Sequence, residues 1–266
     1  MNWLILSLAY LIVLFLLVVL PVLGSMHWLL QSQRYQNHVR FSTYFCYPHL
    51  SRIAEKILVR RWLFPSIPTA NVIDQYAFKP SGSTTAALIH FTDKLTKMLE
   101  TNNYVKCLMI DFSKAFDTVD HVLLLNKLVQ LDLPTHAINW ICSFLFGRSQ
   151  QRKVNGQLST MANIGPSIVQ GSAIGPTLYI VMKSEIHIIS CINVIIKFAD
   201  DTTLLVPENT DVGLDVELRH VTEWAESNRL TLNTGKTILT RAMSQLDDVS
   251  VCCEVSVELI HRCEWH

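Results

Sequence analysis

The chain has 266 residues, with 22 Lys and Arg against 22 Asp and Glu and a formal net charge of zero. That length supports one core of ordinary size plus appendages. Neutrality argues against a surface that grips polyanions over its whole extent, though not against local basic patches. Seven cysteines, an odd number without C-x-x-C spacing, exclude a zinc ribbon or a disulfide framework, so thiols in a reducing compartment and no disulfide partner are expected.

Half of the residues are hydrophobic, and much of that excess lies in one run. Met1 to Gln33 carries no charged side chain, and Trp3 to Leu23 is almost wholly aliphatic. About 20 apolar residues span a bilayer as a helix, so residues 1–24 read as a transmembrane or signal-like apolar helix. Val22 and Gly24 before Ser25 suit a cleaved signal peptide. The absence of a preceding Lys or Arg and the length of the run favour an anchor. Arg34 and Arg40 follow it, which would leave the remainder in the cytosol. Without an anchor the chain is expected in the cytoplasm or nucleus.

Residues 25–49 read as a linker. Leu50 to Leu63 predicts a helix with Leu50, Ile53, Ile57 and Leu58 on one face. Arg52, Lys56 and Arg60 lie on another, either a solvated face or a nucleic-acid-facing stripe. Thr84 to Leu99 predicts a helix with the stripe Ala87, Leu88, Phe91, Leu95 and Leu99. Tyr104 to Asp111 reads as a buried central strand because its end is continuously apolar. Helices are predicted over His121–Leu131 and Thr135–Phe146, the second stopped by Gly147. Asn155-Gly156 predicts a hairpin over Gln151–Thr160, and Gly175-Pro176 opens a helix to about His187. Ile192–Phe198 and Thr202–Val206 are apolar strands flanking Ala199-Asp200-Asp201, a second hairpin. Asp211–Asn228 predicts a helix with Leu214, Leu218, Val221 and Ala225 inward. The order of elements implies an α+β fold with an antiparallel sheet and packed helices.

The second hairpin places two carboxylates between apolar strands, where like charges repel unless a cation neutralises them. Asp111 ends another apolar strand in the same way, and an antiparallel sheet can lay such strands side by side. Oxygen ligands of this kind suit Mg²⁺. A pair of such ions can activate a hydroxyl and stabilise a leaving group in phosphoryl transfer. By themselves, acids at strand ends are also ordinary turn and cap residues.

Five segments in order add to this reading. They are QYAFKPSGSTTAAL at Gln75–Leu88, DFSKAFD with TVDH from Asp111, QGSAIGP at Gln170–Pro176, FADD at Phe198–Asp201 and WAESNRLTLNTGKT at Trp224–Thr237. Together they resemble the reverse transcriptase domain of LINE-type (non-LTR) retrotransposons over roughly Leu50 to Thr240. The resemblance implies a polymerase palm and RNA-directed DNA polymerisation from an RNA template, a DNA primer and deoxynucleoside triphosphates. It implies two Mg²⁺, with Mn²⁺ as a substitute, held by Asp111, Asp200, Asp201 and the carbonyl of Phe112. Phe116 would be a steric gate under the sugar, or else a core aromatic. Gln170 and Gly171 would lie against the nucleotide and template, and Lys79 would contact the nucleotide. Lys236 would sit near the leaving pyrophosphate, or else be a surface lysine. Arg148, Arg152 and Lys153 would hold backbone phosphates, or else decorate an ordinary hairpin.

Three features depart from the family pattern. Lys79 stands where Arg is usual, keeping charge without bidentate geometry. Val169 replaces a Pro, and no N-D-L-type segment follows Glu185. Residues 25–49 would be degraded fingers, 50–240 the palm with partial fingers, and 241–266 a divergent tail without a thumb. Cys252, Cys253, His261, Cys263 and His266 in that tail match no zinc spacing. The expectation is a truncated retrotransposon-derived product with little or no activity and no endonuclease domain. The alternative is a membrane-tethered, non-catalytic RNA-binding or interaction protein, touching the membrane through Trp3–Leu23, that keeps the fold.

Overall fold

The computed structural model describes residues 46–150, 153–154, 157–163, 165–169 and 171–243. The Trp3–Leu23 run, Arg34, Arg40, Arg152, Gln170 and the Cys/His tail lie outside these residues. Among the described residues, no helix is long and apolar enough to cross a membrane. The chain forms two compact units, residues 46–67 with 120–178 and residues 68–119 with 179–243.

In the first unit, α1 (Cys46–Leu58) continues through a π-helical turn, Val59–Leu63, into a last turn, Phe64–Ser66. The inward face is the expected one in part, with Leu58 buried and Ile57 half-buried. Ile53 is 46% exposed, whereas Glu55 is 1% exposed. The Glu55 carboxylate accepts hydrogen bonds from the amides of Ala173 at 2.5 Å and Ile174 at 3.3 Å. Buried acids need such partners, and a count of apolar spacing cannot register partners 118 residues away. Helix α3 (His121–Val129) starts at Asp120, whose Oδ1 accepts from the amides of Val122 and Leu123. Helix α4 (Thr135–Leu145) buries Ala137, Ile141, Phe144 and Leu145 and packs on α3. Short antiparallel ladders join β2 (Ser149–Gln150) to β5 (Ala162–Asn163) and β3 (Lys153–Val154) to β4 (Gln157–Leu158). The second ladder lies where the Asn155-Gly156 hairpin was predicted. Helix α5 (Gly175–Lys183) begins in this unit and ends in the other, four residues short of the predicted end at His187.

The second unit is built on a four-stranded antiparallel sheet of order β6-β7-β1-β8, with β1 Tyr104–Ile110, β6 Val194–Phe198, β7 Asp201–Pro207 and β8 Ile238–Met243. The apolar run of β1 is central, as its composition implies. Helix α2 (Thr84–Leu99), capped by Ser83 Oγ on the Ala86 amide, lays Leu95 and Leu99 over Val105, Cys107, Ile196, Leu205 and Ala242. From Phe91 onward the helix packs on this core, whereas Leu88 of the predicted stripe is 65% exposed. Helix α6 (Leu214–Ser227) buries Leu214, Leu218, Val221 and Ala225, the face its spacing predicts. Strand β8 was not anticipated. It pairs along β1 from Tyr104–Met243 to Met109–Ile238. As an edge strand it carries Thr240 and Arg241 between buried Leu239 and Ala242, and a charge on an edge strand hides the strand from an apolar count. Cys107, Cys142 and Cys191 are free thiols.

Candidate active site

The three acids predicted to act together all belong to the second unit. Ile110 of β1 pairs with Thr202 of β7, and Phe198 of β6 pairs with Asp201 of β7. One step beyond Ile110, Asp111 is therefore level with Asp201, and opposed residues in an antiparallel pair share a face. Asp200 sits in the two-residue loop between β6 and β7. The first loop residue, Ala199, carries a φ of 56°. Left-handed backbone at a non-glycine residue costs about 1–2 kcal/mol, and the loop is held from outside itself. Gln75 is 2% exposed, and its Oε1 accepts from the Ala199 amide at 3.2 Å and from the Ala77 amide at 2.9 Å.

Asp111 is tied to the segment between α6 and β8. The Asn233 amide donates to the Asp111 carbonyl at 2.8 Å, and Asn233 Nδ2 donates to Asp111 Oδ2 at 2.8 Å. Thr237 Oγ1 accepts from the Asp111 amide at 3.5 Å, and Phe112 bridges to Leu232. Asn233 lies in the segment that carried the family resemblance, yet its role was not read from sequence because only its position in the spelling was visible.

Beneath the acids, α5 presents Tyr179 and Lys183, one turn apart. Tyr179 is fully buried, its ring stacks on Phe116 at 4.3 Å between centroids, and its hydroxyl has no hydrogen-bond partner. Burial, and then the charges of Asp200, Asp201 and Asp111 in that order, push its phenol well above its ordinary range. Lys183, 1% exposed, donates through Nζ at 2.9 Å to the Ala199 carbonyl, the Asp200 carbonyl and Thr202 Oγ1. Its ammonium also lies 4.9 Å from the centre of the Phe112 ring. Burial, with Lys197 adding, pushes Lys183 down to about 7 against the opposing pull of Asp200 and Asp201. Neither residue was singled out from sequence, since both read as ordinary helix positions.

The Asp201 carboxyl is raised, first by burial and then by Asp200, with Lys183 opposing and Asp111 adding. The acids thus feel one another through the field of this corner. Among the described residues no three His, Cys, Asp or Glu side chains converge into a ready-made metal cage. The donor set is three hard carboxylates on neighbouring strand ends and the loop between them, close enough to act on the unpartnered Tyr179 hydroxyl, and it fits a divalent cation.

The other predicted residues are distributed as follows. Phe112 is buried and meets Trp224 edge to face at 6.1 Å. Phe116 is half-buried, so it is neither a fully buried core ring nor free. Lys236 is exposed on the turn that starts at Asn233. Lys79 places Nζ 3.1 Å from the Val72 carbonyl and over the Tyr76 ring, which closes the loop ahead of α2. In the first unit, Gly171 has a φ of 78°, a backbone state that favours glycine. Arg148 lies on the Phe144 ring and donates Nε to the Phe144 carbonyl. Lys153 lies in β3.

A family model described as reverse transcriptase (RNA-dependent DNA polymerase) matches residues 38–251. The RNA-directed DNA polymerase from mobile element jockey of Drosophila melanogaster is 28% identical over 201 residues, covering 71% of this chain and 22% of that protein. The probable RNA-directed DNA polymerase from transposon X-element of the same organism is 24% identical over 200 residues, again covering 71% of this chain and 22% of the relative. The chain therefore spans about a fifth of the length of these relatives. Among solved structures, telomerase from Candida tropicalis in complex with a TWJ fragment of telomeric RNA aligns with a TM-score of 0.56 at 12% identity, covering 85% of this chain and 41% of that one. Telomerase from Candida albicans with such a fragment aligns at 0.52 and 10% identity, covering 77% and 37%. At these identities the likeness is one of fold, a polymerase palm of helices on an antiparallel sheet.

Proposed function

The chain belongs to the reverse transcriptase (RNA-dependent DNA polymerase) family, and from that premise we propose that it carries out RNA-directed DNA polymerisation, adding deoxynucleotides to a primer 3′-hydroxyl on an RNA template. The observation that carries the proposal is the strand register that brings Asp111 level with Asp201, with Asp200 in the adjoining loop.

Members of this family work with divalent metal ions. Here Asp111, Asp200 and Asp201, with the Phe112 carbonyl, would hold two Mg²⁺, or Mn²⁺ in their place. When bound, the ions would lower the pKa of the attacking 3′-hydroxyl and offset the negative charge that builds on the leaving pyrophosphate. The protein's own share is orientation. Asn233 fixes one Asp111 oxygen and leaves the other free to face a ligand. Phe116, braced by its stack on Tyr179, would present its ring to the sugar and disfavour a 2′-hydroxyl. Lys236 would approach the departing pyrophosphate from its exposed turn and offer a charge or a proton. Lys79, Gln170 and Gly171 are proposed nucleotide contacts, and Arg148, Arg152 and Lys153 proposed backbone-phosphate contacts. The Trp3–Leu23 run would tether the palm to a membrane on its cytosolic side. Full release by alkaline carbonate would refute that tether.

The test of function is primer extension on an RNA template, with the Asp200→Asn, Asp201→Asn double variant alongside. Extension by the wild type alone is expected, at a low level in keeping with the little activity expected from the sequence. Equal incorporation by both proteins would sink the proposal.

A further inference from the structure

The loop that carries Asp200 is held by a residue that no part of the polymerase reading requires. Lys183 Nζ has three acceptors at 2.9 Å, and two of them are the carbonyls of Ala199 and Asp200. These carbonyls belong to the two peptide planes on either side of the Asp200 Cα. Fixing both planes fixes the direction in which the Asp200 side chain leaves the backbone. Fixing the second also sets the amide of Asp201. The third acceptor, Thr202 Oγ1, begins the buried part of β7 opposite Ile110, so the same ammonium ties the loop to the strand beside Asp111. Three acceptors match the three N–H donors of an ammonium.

The loop needs such a tie. It places Ala199 at positive φ without the glycine or asparagine that lowers the cost of that state, and it gathers like charges at its tip. Gln75 holds the Ala199 amide, which leaves the carbonyl side to Lys183. The burial of Lys183 is itself a sign of function over stability, because a long aliphatic side chain would fill this space without desolvating a charge.

We propose that Lys183 is a positioning residue that locks the Ala199–Asp200–Asp201 backbone and so aims both carboxylates at their cations. Its consequence for catalysis rests on the polymerase reading above, whereas its effect on the loop does not. Lys183→Met keeps the length of the side chain and removes the donors. Hydrogen exchange followed by mass spectrometry would compare peptides spanning 198–204 with peptides from β1. In the variant, the loop peptides should exchange at least about tenfold faster while β1 peptides keep their protection. In primer extension, kcat should fall about 30- to 100-fold, the scale of a misplacement near 1 Å, with the KM for deoxynucleotide within about threefold. Thr202→Val removes one acceptor without changing shape, and an intermediate effect on the loop is expected even if Lys183→Met fails to fold. Unchanged loop exchange in Thr202→Val, or in a folded Lys183→Met, would overturn the proposal. A wild type that does not extend primers would refute the polymerase reading alone, since the exchange comparison decides the role of Lys183 without it.

Discussion

Replacing Asn233 with Ala separates aim from stability at Asp111. The substitution removes the Nδ2 bond to Asp111 Oδ2 at 2.8 Å but keeps the bond from the Asn233 amide to the Asp111 carbonyl, also 2.8 Å. Hydrogen bonds to charged groups contribute about 1.5–3 kcal/mol when buried. Asn233 and Asp111 are both half-buried, so screening by solvent brings the expected loss of stability to about 1 kcal/mol. For a chain of this size that lowers Tm by about 2–4 °C. The carboxylate, however, gains a free rotor at the point where the cations would sit, and misplacement on that scale lowers kcat by about 100-fold. Urea denaturation followed by circular dichroism gives the first quantity, and single-turnover primer extension gives the second. Asn233→Asp provides the contrast, because it exchanges a donor for a fourth acid and should make stability depend more steeply on Mg²⁺. A loss of kcat below about threefold in the Ala variant would refute the orienting role. So would a loss that tracks the fraction of unfolded protein.

The field among the acids gives a pH signature. The folded Asp201 carboxyl titrates above its ordinary value of 3.8, so its ionisation opposes folding: full stability holds below 3.8 and is lost as pH rises through the raised folded value. In EDTA, the stability advantage of Asp201→Asn over the wild type should therefore widen from about pH 4 to pH 7 and narrow again when Mg²⁺ is added, as read by thermal melts. A constant advantage across that range would count against the coupling. Glu55→Gln keeps the shape but removes the charge that receives the Ala173 and Ile174 amides, and should destabilise by about 1.5–3 kcal/mol in urea; a change under about 0.5 kcal/mol would contradict the assigned partners. Burial pushes the Cys107 thiol up to about 11, so at pH 8 its alkylation should be at least about 100-fold slower than that of exposed Cys191, and comparable rates by site-resolved mass spectrometry would place Cys107 outside the core.

What the sequence made legible follows from period and turn chemistry. The continuous apolar run of β1, the stripe of α6 and the pair of apolar segments around FADD each have a local pattern, and each element forms where that pattern lies. The Asp positions stand out as acids at the ends of apolar strands, but it is the resemblance of the five segments, and not composition, that separates them from ordinary turn residues. What stayed hidden depends on partners distant in sequence. Glu55 looks like one more surface acid on a charged helix until Ala173 and Ile174 are brought to it. Lys183 looks like the last charged residue of an amphipathic helix, and helices commonly end that way. Strand β8 does not alternate: the apolar pairs Ile238-Leu239 and Ala242-Met243 flank Thr240-Arg241, so a period of two does not announce the strand that pairs along β1.

The same distinction explains how a corner with three like charges can be built at all. Apolar packing is non-directional and cannot aim a carboxylate, so the aim has to come from hydrogen bonds. Here three segments supply them: Gln75 on the Ala199 amide, Lys183 on the Ala199 and Asp200 carbonyls, and Asn233 on Asp111. Each tie comes from outside the strand it holds, and most of their bonds run to backbone groups, which leaves carboxylate oxygens available for a ligand. The sheet brings the acids level by register, and these ties convert that rough coincidence into a direction. Loosening one tie should therefore disturb the geometry of one acid and leave the sheet intact, whereas breaking the β1–β7 register would scatter all three at once.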